Sequence, residues 1–265
     1  MKSLVLWVDD GEREDVIAQL WEEGTSGITE ASNSLRAFFP EDADLAALAS
    51  RFAQYEPDIV EEEDRDWVAE VHAQWPPTPV GELFYLVPEW RDDPAPCGRV
   101  RLKTYPGMAC GSGAHPATQL CLIAMEKIVQ ADDSVLDVGT GSGILAQAAH
   151  LLGAARVFGC DIDHAATAIA QRNLQDFIYR VPLFTGSLRS VRAGSVSLIV
   201  ANLNAETLRN IAPEVQRIGP RAVVVAGFQT AELARVEQAL GTAAQTFHQE
   251  GWTCAVIAVK ESEGN

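Results

Sequence analysis

Two acidic residues and three glycines give the first indication of chemistry in this sequence. Asp137 ends an apolar stretch, and the sequence DVGTGSG that it opens contains Gly139, Gly141 and Gly143. Asp161 follows eighteen residues after the last of these glycines, at the end of another apolar stretch. Glycines let the backbone approach a ligand closely, and an acid after the next strand can accept hydrogen bonds from ribose hydroxyls. The spacing therefore predicts a site for a nucleoside-bearing cofactor in a doubly wound α/β domain.

The spacing of the glycines and the acid before them indicate which cofactor. Dinucleotide binders typically carry GxGxxG, whose glycines contact a pyrophosphate at a helix N-terminus, whereas this loop reads GxGxG. S-adenosylmethionine has no phosphate but carries an ammonium and a sulfonium, which suit the carboxylate of Asp137. A tight strand-to-helix turn also needs glycines without any ligand, but the acid at each end of the motif favours S-adenosylmethionine. After the third predicted strand, we expect Ser187 and Leu188 near the adenine, with Leu188 packed on the ring; an ordinary turn is the alternative.

An asparagine ends the fourth predicted strand. The carboxyl ends of the strands in a doubly wound sheet face the ligand crevice, so Asn202 points to the place of the transferred methyl group. Its carbonyl oxygen could accept a hydrogen bond from an amine nucleophile and orient the lone pair. Asn202 or Asn204 could instead cap the following helix, as Asp163 is expected to do for an earlier one. We predict the catalytic role for Asn202 and the cap for Asn204.

His115 is the second candidate catalytic residue, in the glycine-rich segment PGMACGSGAHPAT over residues 106–118. It could remove a proton from an incoming ammonium. It could equally hold the glycine loop over the cofactor, or be an ordinary loop residue before Pro116. A strong base is not required, because a neutral amine needs mainly in-line placement and dehydration.

The elements that position these residues alternate along the chain. Five strands are predicted at 135–138, 156–160, 182–185, 197–201 and 222–226, with helices between them at 144–152, 165–174 and 205–211. A helix at 231–240 then leads to an antiparallel hairpin at 242–248 and 253–259. Five parallel strands followed by a hairpin are typical of the seven-stranded sheet of S-adenosylmethionine-dependent methyltransferases. The chain is predicted to comprise a small acidic α+β substrate-recognition domain (1–60), a linker helix and Pro-rich junction (61–80), and the methyltransferase domain (81–265).

Negative charge is concentrated in the N-terminal part of the chain. Residues 1–75 contain 5 basic and 19 acidic side chains, whereas the remaining residues contain 15 and 18. Such a surface repels phosphate backbones, so no direct nucleic-acid binding is expected, and it would attract a basic partner. Solubility alone is the alternative explanation of this charge.

Other features of the composition indicate a cytoplasmic protein. No apolar run reaches the roughly 18–20 residues that span a bilayer, so no membrane partner is expected. The five cysteines are dispersed without CxxC pairs, which favours reduced thiols over disulfides or a metal site.

Three segments together resemble the ribosomal protein L11 methyltransferase family, also called PrmA. They are PGMACGSGAHPAT, LDVGTGSGILAQAA followed by GCDID, and VANLNAETLRNIAP, and with DWVAEVHAQWPPTPVGELFYLVPEW the resemblance spans roughly residues 60–260. It implies a class I methyltransferase domain joined by a linker helix to a small substrate-recognition domain. It also implies trimethylation of lysines and of the N-terminal amine of L11, a basic protein, by an enzyme that we expect to be monomeric. By motif position it implies cofactor contacts at Thr118, Gly139, Asp161 and Asn202.

The sequence departs from the family in one loop, which usually reads AFGTGxHxTT. Cys110 replaces an aromatic residue, and Ser112 and Ala117 replace threonines, so the pocket could be wider or accept a different amine. The same fold could act on another protein, an RNA or a small molecule. Against RNA stand the acidic balance and the lack of a Pro-Pro-aromatic sequence after Asn202. A cofactor-binding protein without catalysis is the third alternative, which the acids and Asn202 disfavour.

Overall fold

The computed structural model describes residues 2–9, 11–40, 42–61, 72–73, 75–106, 113–175 and 181–259. The chain divides into two compact units, residues 1–74 and 75–265. Most of the predicted linker helix (62–71 and 74) lies outside the described residues, as do Cys110 and Ser112. Glu61, predicted to begin that helix, instead ends a strand.

In its described residues, the first unit is a four-stranded antiparallel sheet with two α-helices. Its strands lie in the order β2-β3-β1-β4. The elements are β1 (Lys2–Trp7), α1 (Arg13–Glu22), β2 (Gly27–Ala31), β3 (Ser34–Phe39), α2 (Leu45–Arg51) and β4 (Asp58–Glu61). Leu4 and Leu6 alternate along β1 and are fully buried with Val16 and Leu20 of α1, so one face of the sheet packs on the helices. Asp44 caps α2, since its Oδ1 accepts from the N–H of Ala47 at 3.1 Å.

The second unit contains two sheets. The smaller, in the order β5-β6-β7, consists of β5 (Thr78–Val80), β6 (Phe84–Pro88) and β7 (Val100–Thr104). The larger has seven strands in the order β10-β9-β8-β11-β12-β14-β13. Its elements, preceded by α3 (Pro116–Ile128), are β8 (Ser134–Val138), α4 (Ile144–Leu151), β9 (Arg156–Asp161), α5 (His164–Asn173), β10 (Leu183–Thr185), β11 (Leu198–Asn202), α6 (Ala205–Ile218), β12 (Ala222–Gln229), α7 (Leu233–Leu240), β13 (Ala243–Gln249) and β14 (Trp252–Ala258).

The large sheet confirms the predicted class I methyltransferase architecture. Strands β10, β9, β8, β11 and β12 are parallel, and β14 and β13 continue the sheet as an antiparallel hairpin. The central strands are buried on both faces, which explains their nearly continuous apolar sequences. The strand order reverses between β8 and β11, and ligands bind at such a switch point, beyond the carboxyl ends of the strands.

Helix α6 is longer than predicted. The prediction ended at residue 211, but the helix continues through Pro213 to Ile218. Proline removes one backbone hydrogen bond, yet a continuous buried stripe holds the helix against the sheet. That stripe consists of Ala205, Leu208, Ala212, Val215 and Ile218. Packing therefore outweighs the local break.

No helix in the described part of the chain is long and apolar enough to cross a membrane.

Candidate active site

The turn between β8 and α4 is tied to the neighbouring strand β9. The N–H groups of Gly139 and Thr140 both donate to the carbonyl of Cys160, at 2.8 and 3.0 Å. Gly139, Gly141 and Gly143 have positive φ angles of 71°, 52° and 85°, a region that favours glycine. A Cβ atom on Gly139 would also lie 2.6 Å from Cδ2 of Leu203. The backbone conformation thus favours glycine at all three positions that the motif predicted, and at Gly139 the neighbouring Leu203 side chain adds to this preference.

Asp161 braces this turn from the end of β9. Its Oδ2 accepts from the N–H of Gly141 at 3.2 Å, and its Oδ1 accepts from the N–H of Asp163 at 3.0 Å. Each carboxylate oxygen can accept more than one hydrogen bond, so both remain able to receive a ribose hydroxyl. Asp163 caps α5 as predicted, since its Oδ1 accepts from the N–H of Ala165 at 2.8 Å.

Asp137 is a fully buried carboxyl with one oxygen in use. Its Oδ2 accepts from the hydroxyl of Thr140 at 2.8 Å and from the N–H of Ala146 at 3.1 Å. Its Oδ1 is buried and meets no hydrogen-bond partner among the described residues. Burial raises the pKa of Asp137 to about 7, against the two hydrogen bonds, which act to lower it. A cation at Oδ1 would supply the missing partner and favour the ionised form, so this acid fits the ammonium of S-adenosylmethionine.

Thr118 and Asn202 come together from elements far apart in the sequence. Nδ2 of Asn202, at the end of β11, donates to Oγ1 of Thr118, in the first turn of α3, at 3.0 Å. This bond uses the amide nitrogen and leaves the carbonyl oxygen available as an acceptor. Asn204 caps α6, since its Oδ1 accepts from the N–H of Thr207 at 2.8 Å. The prediction that Asn204 is the cap is therefore confirmed.

His115 caps α3, a role that the sequence alone did not indicate. Its Nδ1 accepts from the N–H of Ala117 at 3.1 Å. The imidazole also packs edge-on against the ring of Trp252, with 4.5 Å between the ring centroids and 73° between the planes. With Nδ1 accepting, a neutral ring carries its proton on Nε2. Proton removal by His115 stays a prediction, and it would require this cap to open or the ring to turn.

The residues predicted to contact the adenine, Ser187 and Leu188, both lie after β10, but the side chain of Leu188 is buried. The side chain of Leu188 is 1% exposed and belongs to the core that includes α6, so its apolar surface faces the protein interior and is not presented to an adenine ring. Ser187 precedes it in an extended conformation. Sequence analysis did not select Ile162, whose side chain is 82% exposed beside Asp161. The sequence feature that could have indicated Ile162 is its position as an apolar residue between two acids at the end of a strand.

Gly227 is a second residue that sequence analysis did not select. It lies in β12, at a register irregularity between Val225 and Phe228, with a φ of 95°. A Cβ atom there would lie 2.8 Å from Oδ1 of Asn202 and 2.7 Å from the carbonyl oxygen of Leu203. The sequence feature that could have indicated Gly227 is its position inside an apolar strand, where a glycine often marks a bulge or a close approach of another backbone segment.

Comparisons with known proteins match most of this chain to proteins of one family. The family model described as ribosomal protein L11 methyltransferase (PrmA) matches residues 7–260. The ribosomal protein L11 methyltransferase of Paraburkholderia phymatum is 37% identical over 205 residues, covering 76% of this chain and 67% of the relative. The protein of that name from Chromobacterium violaceum is 32% identical over 254 residues, covering 92% and 81% of the two chains.

A solved structure agrees in fold as well as in sequence. The ribosomal protein L11 methylase of Lactobacillus delbrueckii subsp. bulgaricus superposes with a TM-score of 0.61 and 32% identity, over 69% of this chain and 97% of that chain. The match of the family model begins at residue 7 and so includes most of the first unit, whereas the resemblance seen in the sequence begins near residue 60. These matches confirm the resemblance seen in the sequence. They also confirm the prediction that the chain is a methyltransferase that uses S-adenosylmethionine. This chain belongs to the ribosomal protein L11 methyltransferase family.

Proposed function

We propose that this chain transfers methyl groups from S-adenosylmethionine to lysine side chains and the N-terminal amine of ribosomal protein L11 in the cytoplasm. Its family and the names of its relatives support this substrate. The observation that carries the proposal is the bond from Nδ2 of Asn202 to Thr118. That bond leaves an oriented amide oxygen at the carboxyl edge of the sheet, where an amine can donate to it.

We assign the cofactor to the residues around the β8–α4 turn. When bound, S-adenosylmethionine supplies an electrophilic methyl group on a sulfonium. Asp137 would bind the ammonium through Oδ1, and Asp161 would bind the ribose hydroxyls. The N–H groups of the glycine loop and the main chain near Ser187 would line the remaining surface. Ile162, exposed beside Asp161, would cover the adenine, in place of the stack first predicted for Leu188.

We assign the acceptor amine to Asn202. Oδ1 of Asn202 would accept one hydrogen of the amine and thereby direct the nitrogen lone pair away from the amide, toward the methyl group. The amine must be neutral to react, so its extra proton leaves first, to water or to His115. Orientation and exclusion of water then account for the acceleration without a strong base.

The acidity of residues 1–75 supports a basic protein as the partner. With 19 acidic and 5 basic side chains, this part of the chain would attract a lysine-rich protein and repel a phosphate backbone. We accordingly assign substrate docking to the first unit. RNA methylation on the same fold is the second candidate, which the charge disfavours.

The proposal is tested with purified protein and methyl-labelled S-adenosylmethionine. L11 and total RNA from a matching bacterium are offered separately, and label is expected on L11 amines alone. Asn202→Ala should abolish labelling while still binding S-adenosylhomocysteine. Asn210→Ala, on the exposed side of α6, is the control and should label normally. Label on RNA, or none on L11 despite cofactor binding, would overturn the proposed substrate.

A further inference from the structure

The turn of the β13–β14 hairpin touches the beginning of α3. Nε2 of Gln249 donates to Oε1 of Gln119 at 3.2 Å, across 130 residues of sequence. Nε2 of Gln119 is turned the other way, toward the carbonyl oxygens of Gly113 and Ala114, at 3.3 and 3.4 Å. Gln119 therefore joins the hairpin to the segment that enters α3.

A second contact joins the same two regions. Trp252, the first residue of β14, packs against the ring of His115. His115 is itself the N-cap of α3. The first turn of the helix is thus held by the hairpin at two positions, once through an amide pair and once through an aromatic pair.

The segment held in this way lies against the candidate site. Thr118, next to Gln119, receives the hydrogen bond of Asn202. Gly113 lies between the small sheet and α4, because a Cβ atom on it would lie 2.7 Å from Cδ2 of Leu86, 3.1 Å from Cγ2 of Thr104 and 3.2 Å from Cδ1 of Ile144, the first residue of α4. A displacement of residues 113–118 would therefore move the hydroxyl of Thr118. It would also alter the packing at the start of α4, directly after the β8–α4 turn.

We propose that Gln119 and Gln249 form a positioning pair for methyl transfer. Neither side chain touches the reacting atoms; together they set the place of Thr118 and of the segment beside the cofactor. The inference extends the proposed function and rests on its assignment of the site.

The direction of the amide pair makes the proposal testable. Gln249 must donate, because Oε1 of Gln119 accepts while its Nε2 faces the carbonyls of residues 113 and 114. Lysine at position 249 can only donate and preserves the arrangement. An ionised glutamate can only accept, so Gln119 would have to turn its amide and release those carbonyls. If Gln249 only filled space, the lysine and glutamate variants would have similar effects.

The experiment compares Gln249→Ala, Gln249→Glu and Gln249→Lys in the full-length protein, with Gln245→Ala on the exposed side of β13 as the control. Calorimetry measures affinity for S-adenosylhomocysteine, steady-state labelling of L11 gives kcat and the KM for S-adenosylmethionine, and thermal unfolding gives Tm. Losing one hydrogen bond is expected to weaken S-adenosylhomocysteine binding and raise that KM by about fivefold in the Ala and Glu variants. The Lys and Gln245→Ala variants should stay within twofold of the parent protein.

The proposal is overturned if the Ala and Glu variants bind S-adenosylhomocysteine like the parent, or if Gln249→Lys loses as much affinity as Gln249→Ala. Gln119→Ala tests the pair from the other side and replaces any Gln249 variant that does not fold. Absence of labelling on L11 by the parent protein would overturn the proposed substrate. The affinity series would then still decide the positioning pair, because it needs no acceptor.

Discussion

The amide nitrogen of Asn202 donates to the hydroxyl of Thr118 at 3.0 Å, so the helix that precedes the large sheet determines which atom of this asparagine remains available as an acceptor. Thr118 is 1% exposed and Asn202 is half-buried. The bond is therefore largely protected from water, and the orientation of the amide is held without a bound substrate.

Thr118→Val should consequently reduce methyl transfer while the fold persists. The amide of Asn202 would lose its partner and could present either nitrogen or oxygen to the amine. We expect kcat to fall by about tenfold, which corresponds to ~1.4 kcal/mol in activation free energy. Thr118→Ser keeps the hydroxyl and should retain most of the activity. Equal rates for the Val and Ser variants would show that the hydroxyl does not orient Asn202.

Asp137 should make the stability of the cofactor-free protein depend on pH. Burial raises its pKa from 3.8 to about 7, so between these values the folded protein holds a proton that the unfolded chain has released. The free energy of unfolding should therefore fall as pH rises from about 4 to about 7 and then level off with respect to this group. Asp137→Asn removes the titration, and urea unfolding of the two proteins at pH 5 and pH 8 measures the difference. A difference in stability between variant and parent that is the same at both pH values would contradict the assignment.

The same carboxyl should have the opposite effect on binding. Ionised Asp137 attracts the ammonium of S-adenosylhomocysteine, so affinity should rise as pH passes through about 7. Asp137→Asn should bind more weakly and lose this rise. Calorimetry over the same pH range tests it, and an identical pH dependence in the variant would assign the ammonium to another group.

The parts of the site that sequence analysis predicted share one property. Asp137, Asp161 and Asn202 each stand at the end of an apolar stretch, and parallel strands bring such ends to one edge of the sheet. The glycine loop is local in sequence, so its turn could be read from spacing alone. Pattern and topology were sufficient to place these residues at one edge of the sheet, and their roles toward cofactor and substrate stay predictions.

The parts that were missed depend on contacts between distant segments. The Gln119–Gln249 bond spans 130 residues, and nothing near either glutamine indicates the other. The cap formed by His115 was missed because histidine is not among the preferred capping residues. The sequence places Leu188 near the adenine, because a loop position does not reveal that its side chain turns into the core.

His115 offers a test that separates its observed contact from its predicted chemistry. Asparagine is a favoured N-cap but cannot act as a base near neutral pH. Because Nδ1 of His115 is committed to the N–H of Ala117, we expect His115→Asn to keep most of the methyl transfer at pH 8.5. His115→Ala should lose about 1 kcal/mol of stability with the cap. A well-folded His115→Asn protein with a loss of two orders of magnitude in kcat would instead support proton transfer by this histidine.

Gly227 should be needed for catalysis more than for cofactor binding. Alanine there would adopt a φ of 95° and would crowd Oδ1 of Asn202 and the carbonyl of Leu203, at 2.8 and 2.7 Å. Gly153 has a similar φ of 90° but nothing within 4 Å of a Cβ atom, so Gly153→Ala carries the backbone strain without the crowding. Each variant should lose roughly 1–2 kcal/mol of stability from the strain, whereas only Gly227→Ala should also displace Asn202 and lower kcat by at least tenfold. Labelling rates measured beside urea unfolding separate the two effects. Equal kcat values in both variants would mean that the bulge in β12 does not position Asn202 for the catalytic role proposed for it.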